Sequence, residues 1–181
     1  MNPPTETARR YLLLALSAVL LSGSLSLAQQ PENRSTPQIN HILFDLGGNG
    51  LFMSVNYGRV VNQYDGYLIT GIAGIGMFPP LGGTGAIWTA PHQLTLNLGR
   101  SIQFMEIGIG GTYATGKTNA SGYTEASYSY NLSPILGYRL QFKNKMVFRA
   151  YLSPIVHLWG EFLLEDYRVL PYLGLSLGYQ L

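Results

Sequence analysis

The chain contains no cysteine and few charged residues. Asp, Glu, Lys and Arg together make up 11% of it, against about 25% in an ordinary soluble domain. The absence of cysteine excludes disulfides and thiolate metal sites. The formal net charge is +2, and the two arginines near the N-terminus contribute to it, so the remainder offers no basic patch for nucleic acid. We expect a fold held by packing and hydrogen bonds, without a cofactor and without a nucleic-acid partner.

Helical periodicity is missing from the chain after residue 28, whereas Gly (22 residues) and Tyr (13 residues) are abundant. From Ile42 onwards, apolar and polar residues instead alternate with a period of two. Alternation of this kind is typical of β-strands that have one apolar and one polar face. The sequence therefore predicts an all-β protein.

The first 28 residues have the pattern of a secretory signal peptide. Arg9 and Arg10 supply a positive start, Tyr11 to Leu21 an apolar stretch, and Ser26-Leu27-Ala28 a cleavage site. The apolar stretch is too short to cross a bilayer as a helix. We predict a signal peptide over residues 1–28, a polar periplasmic lead-in over 29–40 and one β-barrel domain over 41–181.

The clearest alternation lies between Tyr128 and Phe142. One face carries Tyr128, Tyr130, Leu132, Pro134, Leu136, Tyr138, Leu140 and Phe142, and the other carries Ser129, Asn131, Ser133, Ile135, Gly137, Arg139 and Gln141. Such a strand must lie between an apolar and a polar phase. Aromatic residues at both ends of an apolar face are typical of the girdles of membrane barrels.

The strand number follows from the lengths of the connections. Short ones (62–66, 99–101, 143–145) alternate with longer ones (78–85, 115–125, 159–169), as periplasmic turns and extracellular loops do in outer-membrane barrels. An N-terminus on the periplasmic side then requires an extra first strand, Ile42 to Leu46, with Gly47 to Gly50 as its hairpin. A single first strand kinked at these glycines would give seven strands. We predict an eight-stranded antiparallel up-and-down transmembrane β-barrel.

The chain ends in an alternating strand that begins at Gly174 and finishes with Tyr179, Gln180 and Leu181. It looks like the C-terminal insertion signal of outer-membrane barrels, with Leu181 where an aromatic residue is more usual. This likeness implies the barrel-insertion machinery as a partner.

Several segments, spread in order over nearly the whole chain after the signal peptide, resemble a family of small outer-membrane β-barrel proteins of the Bacteroidota type, similar in size to OmpA/OmpX-type barrels. The matching segments are Gly48-Asn49-Gly50-Leu51 with Ser54-Val55-Asn56-Tyr57, Glu106-Ile107-Gly108-Ile109-Gly110 with Thr112-Tyr113, Gly137-Tyr138-Arg139, Phe148-Arg149-Ala150 with Ser153-Pro154, and Leu170-Pro171-Tyr172-Leu173-Gly174-Leu175-Ser176-Leu177-Gly178-Tyr179. The resemblance implies a fold and a location, and no activity.

Three charged residues fall on the polar faces of neighbouring strands: Glu106, Arg139 and Arg149. Each lies a few residues from a short turn, so we expect them to meet at one depth inside the barrel. Two facing guanidinium groups need a carboxylate, and Glu106 can supply it. We interpret the cluster as an ion-pair network that fills the lumen, with a proton or ion path as the alternative.

Other polar residues give weaker signals. Ser153, His157 and Glu161 could suggest a lipid hydrolase, but Ser153 and His157 are separated by roughly 13 Å along a strand, which excludes direct contact. Glu161, Glu165 and Asp166 could bind a divalent cation, although a solvated loop explains them better. His92 lies on an apolar face and is interpreted as an interface residue.

The sequence therefore predicts a structural or surface-binding role through extracellular loops, with outer-membrane lipids and an unknown extracellular ligand as partners. A lipid-modifying outer-membrane enzyme is one alternative, and a secreted soluble lipocalin-like carrier is another. A soluble carrier would place its aromatic residues inside and its charges outside. Here the polar faces hold the charges and glycines, which favours the membrane protein.

Overall fold

The computed structural model describes residues 39–79, 86–120, 123–160, 169–170 and 172–181. These residues form a closed barrel of eight antiparallel strands, and the predicted fold is confirmed. The strands are β1 (Asn40–Gly47), β2 (Met53–Tyr64), β3 (Tyr67–Phe78), β4 (Ile87–Arg100), β5 (Gln103–Ala120), β6 (Tyr123–Gln141), β7 in two segments (Met146–Leu152 and Ile155–Gly160) and β8 in two segments (Val169–Leu170 and Leu173–Gln180).

No helix in the described part of the chain is long and apolar enough to cross a membrane.

Each strand pairs with its neighbours in sequence, and β8 closes the barrel by pairing with β1. Phe44 lies opposite Leu177 across this closure. The same β1 residue lies opposite Val55 of β2, in an antiparallel pair. The Gly47 to Gly50 segment is therefore a hairpin connection between two strands, and the alternative of a seven-stranded barrel with a kinked first strand is wrong.

The two ends of the barrel differ. The turn end, as we call it, contains the connections at 65–66, 101–102 and 142–145 together with Asn40 and Leu181, whose backbone groups hydrogen-bond at 2.9 Å. The loop end contains the 3-10 turn Gly48–Gly50 and the far ends of β5 and β6. The start of β1 and the end of β8 thus both lie at the turn end.

The predicted loop at 115–125 is wrong. β5 continues to Ala120 and β6 begins at Tyr123, with Gly116 opposite Ser127 and Thr118 opposite Glu125. The segment lacks the apolar alternation that identifies strands on a membrane face, yet backbone pairing needs no such pattern once the hairpin has begun. The result is a hairpin longer than its neighbours.

Outward and inward side chains alternate along the described parts of the eight strands, except at the bulges in β2 and β7. On β6, Leu136 is 56% exposed on the outside, whereas Ile135 is 2% exposed on the inside. Apolar residues exposed on the outer face include Ile42, Phe44, Val55, Tyr57, Ile75, Leu94, Leu96, Ile107, Ile109, Leu136, Tyr138, Leu152, Leu158, Leu175 and Leu177. The predicted orientation of the apolar and polar faces is confirmed.

The lumen is filled with side chains. Val60, Leu68 and Phe104 pack with Ile39 at the turn end, and Leu51, Ile87, Ala114 and Ile155 pack at the loop end. Along β5 the polar residues Glu106 and Thr112 lie between these two apolar clusters. An eight-stranded barrel has an interior just wide enough for such filling.

The first connection folds inward and caps the loop end. Gly48, Asn49 and Gly50 are all buried. The Thr89 hydroxyl donates to the carbonyl of Gly50 at 3.1 Å, and the Ser153 hydroxyl donates to the Asn49 side-chain oxygen at 3.2 Å. Asn49 in turn donates to the backbone carbonyl of His92 at 3.2 Å. The cap therefore bridges strands β4 and β7.

Candidate functional site: a charged layer in the lumen

Arg149 is the centre of a buried layer of charge. It lies on the first segment of β7, and its side chain is fully buried. Its Nε donates to Glu106 Oε2 at 3.0 Å, and one terminal nitrogen donates both to Glu106 Oε1 and to Gln93 Oε1, the latter at 3.0 Å. Glu106 thus accepts a two-pronged bond from a single guanidinium group, which is the geometry that makes such pairs strong.

A second carboxylate and a phenol complete the layer. Asp45 Oδ2 lies 4.0 Å from the other terminal nitrogen of Arg149 and accepts a bond from the Tyr151 hydroxyl at 3.2 Å. The Arg149 guanidinium carbon lies 4.8 Å from the centre of the Tyr151 ring. The sequence analysis did not single out Asp45 or Tyr151, although the alternation of β1 places Asp45 at an inward position.

Among the described residues, Arg139 forms no ion pair with either carboxylate. It faces Arg149 across the β6–β7 pair, as expected, but its terminal nitrogen donates to Nε2 of His41 at 2.8 Å. Its Nε and its other terminal nitrogen have no hydrogen-bond partner among the described residues. The structure therefore brings Glu106 and Arg149 together and places Arg139 beside a buried histidine that the sequence did not single out.

Ser153 and His157 do not form a nucleophile–base pair. The Ser153 hydroxyl is buried and donates to Asn49, whereas the His157 ring lies 3.0 Å from the Asn131 side-chain oxygen and 3.2 Å from the Gly160 carbonyl. A hydrolase needs the two in direct contact and open to lipid.

The predicted acidic run (Glu161, Glu165 and Asp166) lies outside the described residues. Within the described ranges, no group of three or more His, Asp or Glu side chains could hold a metal ion.

The C-terminal residues have separate surroundings. Gly174 faces the lumen against the Tyr151 ring. Tyr179 is 48% exposed on the outer face, with the Lys145 amine 5.9 Å from its ring centre, and Leu181 is 59% exposed at the turn end. Their role as an insertion signal stays a prediction.

Two glycines provide the space that Tyr151 occupies. A side-chain carbon built on Gly174 would overlap the Tyr151 ring, and one on Gly48 would overlap the ring and hydroxyl. Gly48 also has a φ of +60°, which favours glycine. The glycines thus position the phenol that binds Asp45.

We expect Gly174→Ala to lower the free energy of unfolding by about 1–3 kcal/mol, because the added methyl group displaces the Tyr151 ring. Gly71→Ala is the control, since a side-chain carbon there would meet only Val61, at 3.7 Å. Urea unfolding of both variants in lipid vesicles measures the difference. Equal stability of the two variants would contradict the packing account.

Comparisons with known proteins support the fold alone. No protein-family model and no curated protein sequence matches the chain. Its structure is similar to the N-terminal β-barrel domain of OprF from Pseudomonas aeruginosa, with a TM-score of 0.52 and 8% identity, over 80% of this chain and 96% of that one. It is also similar to Ail, the attachment invasion locus protein of Yersinia pestis, solved with the heparin analogue sucrose octasulfate (TM-score 0.47, 12% identity, 80% and 97% covered).

Proposed function

We propose that this chain is an outer-membrane β-barrel with a packed lumen, which holds the β5–β6 hairpin at the cell surface for binding an external ligand. The observation that carries the proposal is the distribution of polarity. Every strand exposes apolar side chains on its outer face, while Asp45, Glu106, Arg139 and Arg149 are buried inside. This is the reverse of a soluble protein and is typical of a barrel surrounded by lipid.

The strand lengths suit a bilayer. A tilted strand needs about 9–11 residues to cross the hydrocarbon layer, and β2, β3 and β4 have 12, 12 and 14 residues. Exposed aromatic side chains lie at both ends of the outer face, with Tyr64 and Tyr67 stacked at 4.8 Å at the turn end. Tyrosine is favoured where apolar and aqueous phases meet.

The arrangement of the lumen disfavours both alternatives. A carrier of an apolar ligand needs an open apolar interior, whereas this interior is occupied by a charged layer between two apolar clusters. A lipid-modifying enzyme needs a nucleophile beside a base on the lipid face, and Ser153 and His157 are separate and point inward. Non-catalytic binding therefore fits the described residues better.

The β5–β6 hairpin is the surface we propose for binding. β5 has 18 residues and β6 has 19. The neighbouring strand β4 begins at Ile87, and its next residue, Trp88, pairs with Thr115 of β5. The described backbone beyond Thr115 thus extends past β4 at the loop end.

In this proposal the turn end faces the periplasm, the signal peptide directs export, and the insertion machinery recognises the strand from Gly174 to Leu181. Membership of the Bacteroidota-type family stays a prediction.

An epitope tag inserted between Ser121 and Gly122 should bind antibody on intact cells, because the proposal places this hairpin outside. A tag inserted after Asn144, at the turn end, should bind antibody only after the outer membrane is permeabilised. Flow cytometry of both strains makes the comparison. Equal labelling of the two tags, or recovery of the protein from the medium, would contradict the proposed location and orientation.

A further inference from the structure

Five aromatic side chains form a cluster on the outer face of the barrel towards the loop end. We call it the aromatic patch, and its members are His92, Tyr113, Tyr128, Tyr130 and Trp159. The Trp159 ring stacks on Tyr130 at 6.1 Å and 15°, and the rings of Tyr128 and Tyr113 lie 5.8 Å and 6.5 Å from it. Four neighbouring strands thus contribute to one surface.

A β-bulge places Trp159 in this patch. Asn131 pairs with His157, yet Tyr130 pairs with Trp159, so the register shifts by one residue at Leu158. Without the shift, Trp159 would share the inward face with His157, because alternate residues of a strand point the same way. The local break in the strand turns the indole to the outer face.

His92 adds polar atoms to the patch. Its ring stacks on Tyr130 at 5.7 Å and 27°, with Nε2 2.9 Å from the Tyr130 hydroxyl oxygen and Nδ1 3.3 Å from the Ala90 carbonyl. The His92 ring nitrogens thus lie between the Tyr130 phenol and the backbone of their own strand. A side chain at Gly111 would overlap the Tyr130 hydroxyl, so the glycine leaves room for this contact.

We infer that the aromatic patch binds the sugar head group of a glycolipid in the outer leaflet. This inference rests on the proposed function, which places the loop end of the barrel in that leaflet. Tyr113 and Tyr128 are 41% and 43% exposed and offer flat apolar faces beside polar tips. Sugar rings present C–H faces that stack on aromatic rings, and sugar hydroxyls donate to acceptors such as the remaining lone pair of a phenol oxygen. The patch offers ring faces beside hydroxyl and imidazole atoms, and this combination suits the face and the hydroxyl groups of a sugar ring.

The chain contains its own matched control. Its two tryptophans are Trp88 and Trp159. Trp88 lies opposite Thr115 near the same end of the barrel and is 55% exposed on the outer face. In the described part of the chain it makes no ring contact with the patch. Trp88 should therefore contact lipids without selecting among them.

Two single-tryptophan variants test the inference. Trp88→Phe leaves Trp159 as the reporter, and Trp159→Phe leaves Trp88. Each is reconstituted in phosphatidylcholine vesicles with a small, equal fraction of digalactosyl diacylglycerol or phosphatidylglycerol, brominated near the head group to quench fluorescence. We expect Trp159 to be quenched about five-fold more effectively by the glycolipid than by phosphatidylglycerol, which corresponds to about 1 kcal/mol of preference. Trp88 should be quenched equally by both lipids.

Adding His92→Leu to Trp88→Phe should reduce the quenching of Trp159 by the glycolipid to the level of phosphatidylglycerol. Equal quenching of Trp159 by both lipids, or stronger quenching by phosphatidylglycerol, would overturn the inference. Quenching of Trp88 by phospholipid reports separately that the barrel lies in the bilayer. If neither tryptophan is quenched, the proposed membrane location fails and the inference fails with it.

Discussion

Glu106→Gln should lower the free energy of unfolding by about 3–5 kcal/mol, because it removes one partner of a buried ion pair. Arg149 would keep Asp45 at 4.0 Å and Gln93 at 3.0 Å but lose its two-pronged acceptor. Arg139, which faces Arg149 across the β6–β7 pair, would then add repulsion that Glu106 no longer offsets. Urea unfolding in lipid vesicles, followed by tryptophan fluorescence, measures the loss.

Removing all the charges of the layer together should restore much of that stability. In Asp45→Asn/Glu106→Gln/Arg139→Met/Arg149→Met, the attraction disappears, and so does the desolvation penalty of four buried charges. Asp65→Asn is the matched single control, since Asp65 pairs with Arg100 at 3.6 Å with both side chains largely exposed, and it should change stability little. A Glu106→Gln barrel as stable as the wild type would refute a structural role. A quadruple variant that folds but loses a measurable ion conductance would favour the proton or ion path.

Leu136→Arg should destabilise the inserted barrel by about 2–4 kcal/mol, because it places a charge near the middle of the lipid face. Phe142→Arg, one residue beyond the end of the same strand, is the control. Phe142 is 44% exposed, comparable to the 56% of Leu136, but it lies at the turn end, where the penalty should fall to about 0–1 kcal/mol. Folding yields and unfolding curves in vesicles give both values. Equal effects at the two positions would contradict the depth that the account assigns to Leu136.

The sequence predicted most of the fold because an apolar outer face imposes a strong pattern on the strands. An outward residue must be apolar and an inward residue can be polar, so alternation alone identified the face of Leu136 and the strand that contains it. The same pattern found Glu106 and Arg149, since both are charged residues at inward positions. It failed at 115–125, where strand pairing continues without apolar alternation.

Partner choice inside the lumen could not be predicted from alternation. The sequence placed Arg139 and Arg149 at one level, but the direction in which each side chain turns depends on packing across the barrel. Arg149 donates to Glu106. Arg139 donates to His41 on β1, a strand that pairs with neither β5 nor β6. The bulge that turns Trp159 outward was likewise invisible, because it depends on how β7 pairs with β6.

Lipid-dependent folding tests the central claim most directly, namely that the exposed apolar belt is covered by lipid. The chain without its predicted signal peptide is unfolded in urea, then diluted into buffer alone or into phospholipid vesicles, and run on gels with and without heating. We expect a faster-migrating unheated band only in the presence of vesicles, because a closed barrel resists detergent unfolding once its outer face is in lipid. A folded, soluble monomer in lipid-free buffer, with no change of migration on adding vesicles, would contradict it.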